Sequence, residues 1–396
     1  VRVLHFGGRH IESWHIESWR FFNTCTSRHR HGFIGRRPAA QLHRHGQGVF
    51  FGLDKGSLGD TVIANQWRRR THRFGPHLAP FNPRQCCLER DDLRRFHASF
   101  FGVIVGQFFG AWSEFRRKHG LDPDAVIREP GPWAHREVSA NGARFHIVEA
   151  GEGPLVVLLH GFPTLWWSWR RQLRTFADAG YRVVAMDLRG YGGSDHTPHG
   201  YDPNTLSRDV AGVIRSLGEP SATVIGHGWG GLIAWSMAVL DPEVVDAIVP
   251  VSMPHPRRFR AAIVRDAIQR RQALYAVGFQ WPFLPERSLM ADDCARVGEI
   301  LQSWSATPGW PDADTALAYR SAFSLWPTAH CAVEYHRWAL RSLVRTDGVR
   351  YSHRMETPID VPVLHIHGAE DPSVLLRSAE GSGEWVAAPY DFHVME

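Results

Sequence analysis

The feature that most constrains the fold is a regular alternation of apolar and amphipathic segments between residues 131 and 254. The short runs "PLVVLLH", "YRVVAMD", "SATVIG" and "VVDAIVPVS" are continuously apolar, and helix-like stretches such as "SWRRQLRTFADAG" separate them. Strands of this kind are typical of parallel sheets that are covered on both faces. The alternation therefore predicts an α/β fold with a doubly wound, mostly parallel sheet.

Two parts of the chain depart from this alternation. Residues 255 to about 350 have the pattern of helices alone, before "VPVLHIHG" resumes the strand pattern. A helical insertion between two strands of one sheet is expected to form a lid. We predict four regions: an N-terminal extension at 1–125 that is expected to be disordered, a first core part at 126–254, an all-helical lid at 255–350 and a second core part at 351–396.

The N-terminal region has little hydrophobic periodicity. Residues 10–19 read "HIESWHIESW", a tandem copy of five residues. A period of five fits neither a helix nor a strand, so a slipped DNA repeat explains it better than a structural unit. The pairs His29/His31 and His43/His45 could bind a metal, but an unstructured Arg/His-rich segment is the interpretation that we favour.

Composition narrows the possible partners. The formal net charge of the 396 residues is +5, but no basic helix or aromatic stacking motif accompanies it, which argues against a nucleic-acid partner. The five cysteines form no C-x-x-C pair, so we predict no metal site and a reducing, cytoplasmic location. No run of 18 apolar residues occurs, so we predict no membrane span. We expect no cofactor, and the oligomeric state stays open.

The strongest motif is "VIGHGWGG", in which a strand runs directly into a helix through a turn crowded with glycines. This is the pattern of a nucleophile elbow, normally G-x-Nu-x-G. Gly226 and Gly230 flank the turn and allow the strand and the helix to approach closely. The nucleophile belongs at the centre, and here the centre is Gly228, which has no side chain.

With "HGFPTLWWSWRRQL", "AMDLRGYGGSD" and "HGAEDP", this turn resembles the epoxide hydrolases of the α/β-hydrolase fold over about residues 131–396. The resemblance implies that Gly228 stands where the family carries a nucleophilic aspartate. It also implies that the backbone amides of Phe162 and Trp229 form the oxyanion hole, which stabilises developing negative charge.

The resemblance further implies two lid tyrosines that polarise the epoxide oxygen. The first stands four residues before a Phe-Gln pair, which selects Tyr275 ahead of Phe279-Gln280. The second occurs in a Tyr-x-Arg context late in the lid, which selects Tyr335. The expected partner is therefore a small apolar molecule, such as an epoxide, bound under the lid.

The acid and the base of the triad are expected near the end of the chain. In "HGAEDP" the family spacing selects Asp371 over its neighbour Glu370. The family's histidine follows the next strand and would fall just beyond Glu396. His393, inside "YDFHVME", and His227, beside the elbow centre, are expected to be packing residues.

In the family's mechanism, an aspartate attacks the epoxide and a water activated by histidine hydrolyses the resulting ester to a vicinal diol. Gly228 removes the attacking group, so we predict an epoxide hydrolase homologue that is inactive as written, as a pseudoenzyme or a fragment. A non-catalytic homologue that binds a small ligand is one alternative. A haloalkane dehalogenase-like hydrolase is another, with Trp229 holding a halide, although Phe162 stands where such enzymes commonly have an asparagine.

Overall fold

The computed structural model describes residues 120–396, and every structural statement below refers to that part of the chain. Its centre is a sheet of eight strands: β1 Ala134–Ala140, β2 Ala143–Ala150, β3 Leu155–Leu159, β4 Arg182–Met186, β5 Ala222–His227, β6 Val245–Val251, β7 Val363–Gly368 and β8 Tyr390–Met395. The spatial order is β1-β2-β4-β3-β5-β6-β7-β8. β2 pairs antiparallel with β1 and β4, and the remaining neighbours are parallel. The predicted mostly parallel sheet is confirmed.

Two groups of helices accompany the sheet. The first is interleaved with the strands and comprises α1 Pro123–Ile127, α2 Arg170–Asp178, α3 Pro203–Ser216, α4 Trp229–Leu240 and, after β7, α12 Leu376–Ala379. The second lies between β6 and β7 and comprises α5 Pro256–Arg265, α6 Ala267–Gln272, α7 Tyr275–Gly278, α8 Leu284–Ser303, α9 Ala313–Phe323, α10 Thr328–Arg341 and α11 Thr346–Arg354. We call residues 256–354 the helical block. The backbone of α8 is non-helical at residues 291–294.

Local sequence signals explain the first hairpin. Asn141 and Gly142 join β1 to β2, and both have positive φ angles, 45° and 74°. A two-residue hairpin turn with positive φ at both positions favours Asn-Gly, so the predicted turn is confirmed. The expected central strand β3 is buried along its whole length.

Residues on both sides of the expected boundary at residue 126 pack against the core. Leu121 and Ile127 are buried, and the indole Nε1–H of Trp166 donates to the carbonyl oxygen of Ile127 at 3.0 Å. These contacts tie α1 to the core. The tandem repeat and the histidine pairs of the N-terminal region lie outside the described residues.

Candidate active site

The elbow is formed as the sequence indicates. β5 ends at His227 and α4 begins at Trp229, with Gly228 between them at φ 54° and ψ −115°. L-residues rarely adopt this region, whereas glycine reaches it at little cost. The Gly228 N–H donates to the carbonyl oxygen of Val251 at 3.1 Å, which anchors the turn to β6. A Cβ atom at this position would meet only the Cα of Gly161, at 3.7 Å, so the apex has room for a side chain.

The glycines around the apex are required by close backbone contacts. A Cβ on Gly226 would lie 2.1 Å from the carbonyl oxygen of Gly230, and a Cβ on Gly230 would lie 2.3 Å from that of Leu159. A Cβ on Gly161 would lie 2.9 Å from the carbonyl oxygen of His227. The turn after β3 therefore packs directly on the elbow.

Two backbone amides beside the apex are unengaged. Within residues 120–396, neither the N–H of Phe162 nor that of Trp229 has a hydrogen-bond partner. Trp229 is the first residue of α4, where backbone N–H groups have no partner inside the helix and carry partial positive charge. Phe162 directly follows Gly161, which lies against the apex. Two such amides can stabilise a developing negative charge.

A buried histidine holds the turn that carries Phe162. His160 is fully buried; its Nε2 accepts from the N–H of Leu188 at 3.0 Å, and its Nδ1 donates to the carbonyl oxygen of Gly161 at 2.9 Å. These partners assign a neutral ring. Burial lowers the pKa of His160, in agreement with that assignment. The ring links the ends of β3 and β4 beside the elbow.

Tyr275 has a free hydroxyl among aromatic rings. Its ring lies 5.2–5.5 Å from those of Trp304, His336 and Phe279, and its hydroxyl has no hydrogen-bond partner within the described chain. The side chain keeps 39% of its surface accessible, yet desolvation raises its pKa. Because Phe162 contacts the same three rings, the structure brings Tyr275 and Phe162 together.

Tyr335, the second tyrosine that the sequence selects, has an engaged hydroxyl. It is fully buried, and its hydroxyl donates to the carbonyl oxygen of Arg189 at 2.7 Å. Its ring packs against Tyr191, Tyr201 and Trp229. The only O–H proton of Tyr335 is thus engaged by a backbone carbonyl. Because Arg189 lies outside the helical block, this hydrogen bond connects α10 to the sheet domain. This geometry offers no free donor, and a role of Tyr335 toward an epoxide oxygen stays a prediction.

The neighbouring His336 also contacts the elbow, through the indole of Trp229, and the sequence reasoning missed it. Its Nε2 accepts from the indole N–H of Trp229 at 3.1 Å, and its Nδ1 donates to the carbonyl oxygen of Ala332 at 3.0 Å. Burial lowers the pKa of His336 to about 4, so the ring is neutral near pH 7. Its ring centroid lies 4.8 Å from that of Phe162. The helical period could have indicated His336, because successive side chains on a helix point in directions about 100° apart, so the neighbour of Tyr335 reaches different partners.

An arginine fixes this part of the helical block. The guanidinium of Arg337 on α10 donates to a carboxylate oxygen of Glu286 at 2.7 Å, to the carbonyl oxygen of Phe279 at 2.9 Å and to that of Trp281 at 2.8 Å. Arg337 and Phe279-Gln280 were the sequence markers that selected the two tyrosines. The structure places these markers in direct contact, which orients α7 relative to α10.

Asp371 is held by its own loop. Its Oδ1 accepts from the N–H and the hydroxyl of Ser373, at 2.9 and 2.8 Å, and from the N–H of Val374 at 3.0 Å. Asp371 and its neighbour Glu370 both line a shallow surface depression. In the part of the chain that the structure describes, His367 is the only histidine within 4.0 Å of the Asp371 carboxylate, at 3.9 Å. His367 is buried, and its Nε2 donates to the carbonyl oxygen of Val374 at 2.7 Å.

The two other histidines near these strands differ from each other. His227 keeps an accessible side chain and is not packed beneath the elbow as expected. Desolvation lowers the pKa of His227, and the Asp371 carboxylate opposes this shift. His393 is half-buried inside β8, opposite Ile366.

The side chains of residues 120–396 form no group of three or more histidine, cysteine, aspartate or glutamate residues that could hold a metal ion. No helix in that range is both long enough and apolar enough to cross a membrane.

Comparisons with known proteins support the geometry. The family described as "alpha/beta hydrolase fold" matches residues 154–394. The chain is 40% identical over 201 residues to epoxide hydrolase 4 of Mus musculus, covering 49% of this chain and 56% of that protein. It is 32% identical over 266 residues to epoxide hydrolase 3 of Xenopus tropicalis, covering 66% and 70%. It spans only 56–57% of the length of several curated relatives.

Solved structures agree with these matches. Epoxide Hydrolase A from Mycobacterium thermoresistibile aligns with a TM-score of 0.57 and 30% identity, over 66% of this chain and 91% of that one. An epoxide hydrolase variant from Bacillus megaterium, complexed with its diol product, aligns with a TM-score of 0.58 and 26% identity, over 66% and 91%. Sequence, sheet order and elbow thus lead to one assignment: the chain belongs to the α/β-hydrolase fold family and, within it, to the epoxide hydrolase-like proteins.

Proposed function

We propose that this chain binds a small apolar epoxide, or the corresponding diol, between the elbow and the helical block, which acts as a lid, and that it does not form the ester intermediate. One observation carries the proposal: the elbow is fully formed around an apex, Gly228, that has no side chain. The surrounding binding groups are present and unengaged. They are the amides of Phe162 and Trp229 and the hydroxyl of Tyr275.

Of the two groups that epoxide opening requires, an acid is present in this site and a nucleophile is missing. Opening an epoxide through an ester needs a carboxylate that attacks carbon and an acid that donates a proton to oxygen. Desolvation raises the pKa of Tyr275, so its hydroxyl stays protonated and can donate a hydrogen bond. Gly228 supplies no nucleophile. The site is therefore suited to hold an epoxide or a diol without cleaving the ring.

The ligand class follows from the lining. The rings of Phe279 and Trp304 pack against the ring of Tyr275, and Phe162 packs against both, so that apolar surface surrounds a residue with one free donor. Binding sites for small molecules combine apolar walls with a few polar groups in this way. The Bacillus megaterium structure holds (R)-3-[1]naphthyloxy-propane-1,2-diol. We therefore take aryl-substituted epoxides and diols as the ligand class.

The dehalogenase alternative has less support. It requires the indole N–H of Trp229 to hold a halide ion. That N–H donates to Nε2 of His336 at 3.1 Å, and burial lowers the pKa of His336, so the ring remains an acceptor at neutral pH. Halide binding would break this hydrogen bond. The epoxide assignment requires no such rearrangement.

The test restores the missing carboxylate. Gly228→Asp is expected to gain the mass of one styrene oxide molecule, because the apex has room for a side chain and the acid Tyr275 is already present. The adduct should accumulate, since within residues 120–396 only the buried His367 lies within 4.0 Å of Asp371. Intact-mass spectrometry follows the adduct, and chromatography follows the diol. Gly228→Asn is the matched control, with similar size and no nucleophile.

The outcomes separate the parts of the proposal. The unmodified chain should bind the aryl diol in a calorimetric titration and release no diol from the epoxide. Diol formation by the unmodified chain would contradict the proposed inactivity. A folded Gly228→Asp variant that gains no mass would count against the epoxide assignment. An adduct on the Asn variant would place the reactive group elsewhere.

A further inference from the structure

One stretch of the helical block displays apolar side chains to the outside. Between residues 264 and 287, here called segment 264–287, Phe283 is 81% exposed, Trp281 64% and Leu284 61%. Other exposed apolar residues of this segment are Val264, Ile268, Leu274 and Val277. Apolar groups concentrated on one stretch of a folded domain indicate an interaction surface, whereas single exposed apolar residues do not.

Phe283 is displayed at a conformational cost. Its backbone has φ 61° and ψ −24°, in the left-handed region, at the residue that precedes α8. Bulky residues rarely adopt this conformation. The ring does not offset this cost by packing inside the domain, because most of its surface is accessible. A strained residue that presents an aromatic ring outward is consistent with a function at that surface.

Arginines without acidic partners accompany these apolar groups. Arg265, Arg271 and Arg287 are exposed and have no ion pair within residues 120–396. The two acidic residues of the segment are both engaged: Asp266 contacts Arg377 at 2.6 Å, and Glu286 contacts Arg337 at 2.7 Å. Segment 264–287 is therefore locally cationic as well as apolar.

The distribution of charged residues along the chain favours an anionic partner for this segment. Residues 120–396 contain 25 Lys+Arg and 32 Asp+Glu, so this cationic segment stands out within an acidic domain. Residues 1–119 contain 20 Lys+Arg and 8 Asp+Glu, so their composition offers no charge complementarity to a cationic segment. A second copy of the chain in a twofold contact would bring like charges together. An anionic, partly apolar surface complements the segment better than either.

We propose that segment 264–287 docks on an anionic lipid surface, with Trp281 and Phe283 inserted at the headgroup level and the arginines near the lipid phosphates. Aromatic rings combined with Lys or Arg are the composition of segments that lie in the membrane interface. Tyr275, which lines the candidate site, belongs to the same segment. Docking would bring that site close to the phase in which apolar ligands dissolve.

Hydrogen–deuterium exchange of the full chain tests the proposal at the segment itself. The probes are vesicles of phosphatidylcholine with one quarter phosphatidylglycerol, and vesicles of phosphatidylcholine alone. Peptides that cover 264–287 should become protected with the anionic vesicles, and this protection should weaken at high salt. Arg265→Gln with Arg271→Gln should raise the lipid concentration for half-protection roughly thirtyfold, since each arginine near such a surface contributes about fivefold.

A second pair of variants tests insertion. Trp281→Ser with Phe283→Ser should abolish protection of the segment, whereas Trp310→Ser with Arg174→Gln should leave it unchanged, because both control residues lie outside 264–287. Circular dichroism verifies that each variant is folded. Lipid protection confined to other peptides, residues 1–119 included, would overturn the proposal. Protection that grows with protein concentration in the absence of lipid would assign the surface to a second copy and overturn it as well.

Discussion

The elbow and the helical block face the same candidate site, but their geometry is determined in different ways. In the elbow, backbone atoms of β3, β5 and α4 approach so closely that a Cβ on Gly226 would lie 2.1 Å from a carbonyl oxygen. In the helical block, side-chain hydrogen bonds of Arg337 to Glu286 and Phe279 fix the orientation of the helices. Close backbone contacts allow only glycine at these positions, whereas helices held by side-chain contacts can be oriented by several different combinations of residues.

The difference explains how the chain can keep its scaffold without its nucleophile. The flanking glycines determine the shape of the elbow, and the apex residue only has to tolerate its φ of 54°. Glycine tolerates that angle better than any other residue. A glycine at position 228 is therefore compatible with the fold of the elbow, and it places no side chain at the apex.

The largest expected effect separates the two kinds of glycine in the elbow. Gly226→Ala should lower the free energy of unfolding by about 4 kcal/mol or prevent folding, because backbone atoms cannot move away from the new Cβ. Gly228→Ala should cost only about 1–2 kcal/mol, from conformational strain alone. Urea unfolding followed by circular dichroism measures both. Equal costs would show that close backbone contact does not determine this turn.

Sequence reasoning succeeded where a pattern corresponds directly to backbone geometry. The hairpin at Asn141-Gly142 and the sheet itself were predictable, because turn type and strand burial follow from local sequence. It was less successful in the helical block. There, Tyr335 and His336 are adjacent and both contact Trp229, and which polar partner each of them finds depends on how α10 is rotated. That rotation is set by contacts between distant residues, which no local pattern contains.

The next effect tests the anchor of the helical block. Arg337→Gln should lower the free energy of unfolding by about 3 kcal/mol, because Glu286 would remain buried without its main partner. Protease sensitivity of residues 256–354 should rise with it. Leu317→Ser, at an exposed position of α9, is the control. An unchanged unfolding curve would show that the block is oriented by apolar packing alone.

The same anchor has a pH signature. Burial raises the pKa of Glu286, but the hydrogen bonds from Arg337 and His330 outweigh this and hold it below its usual value of 4.5. A carboxyl group with a depressed pKa contributes stability above its ordinary pKa and loses it as the pH falls through the folded value. The parent should therefore lose stability below pH 4.5 more steeply than Arg337→Gln. Parallel curves would contradict this linkage.

A smaller effect sharpens the assignment of the tyrosines. In the Gly228→Asp background, Tyr275→Phe should slow alkylation by styrene oxide about 100-fold, the usual size of a general-acid contribution. Tyr335→Phe should slow it only a few-fold, because the hydroxyl of Tyr335 is committed to the carbonyl oxygen of Arg189. Stopped intact-mass time courses give both rates. A large effect at both positions would show that Tyr335 turns toward the ligand and would support the predicted role of both tyrosines.

The smallest effect compares two buried histidines, one outside the helical block and one within it. After β6, His255 stacks on Trp385 at 4.6 Å, and neither ring nitrogen has a hydrogen-bond partner within residues 120–396. In the helical block, both ring nitrogens of His336 are hydrogen-bonded. At pH 8, His255→Phe should therefore raise the free energy of unfolding by about 1 kcal/mol, whereas His336→Phe should lower it by about as much.

The pH dependence of the two variants should nevertheless change in the same direction. Burial lowers the pKa of His255 to about 3 and that of His336 to about 4, from 6.5. Between pH 6.5 and 4 the unfolded chain binds protons that the folded chain does not, so each histidine reduces stability as the pH falls through this window. Each phenylalanine variant should therefore be less acid-sensitive than the parent, by about 2 kcal/mol between pH 7 and pH 5. Urea unfolding at pH 8, 6.5 and 5 measures this. If His336→Phe kept the acid sensitivity of the parent, His336 would already be charged when folded, and its hydrogen bond to Trp229 could not hold the indole beside the elbow.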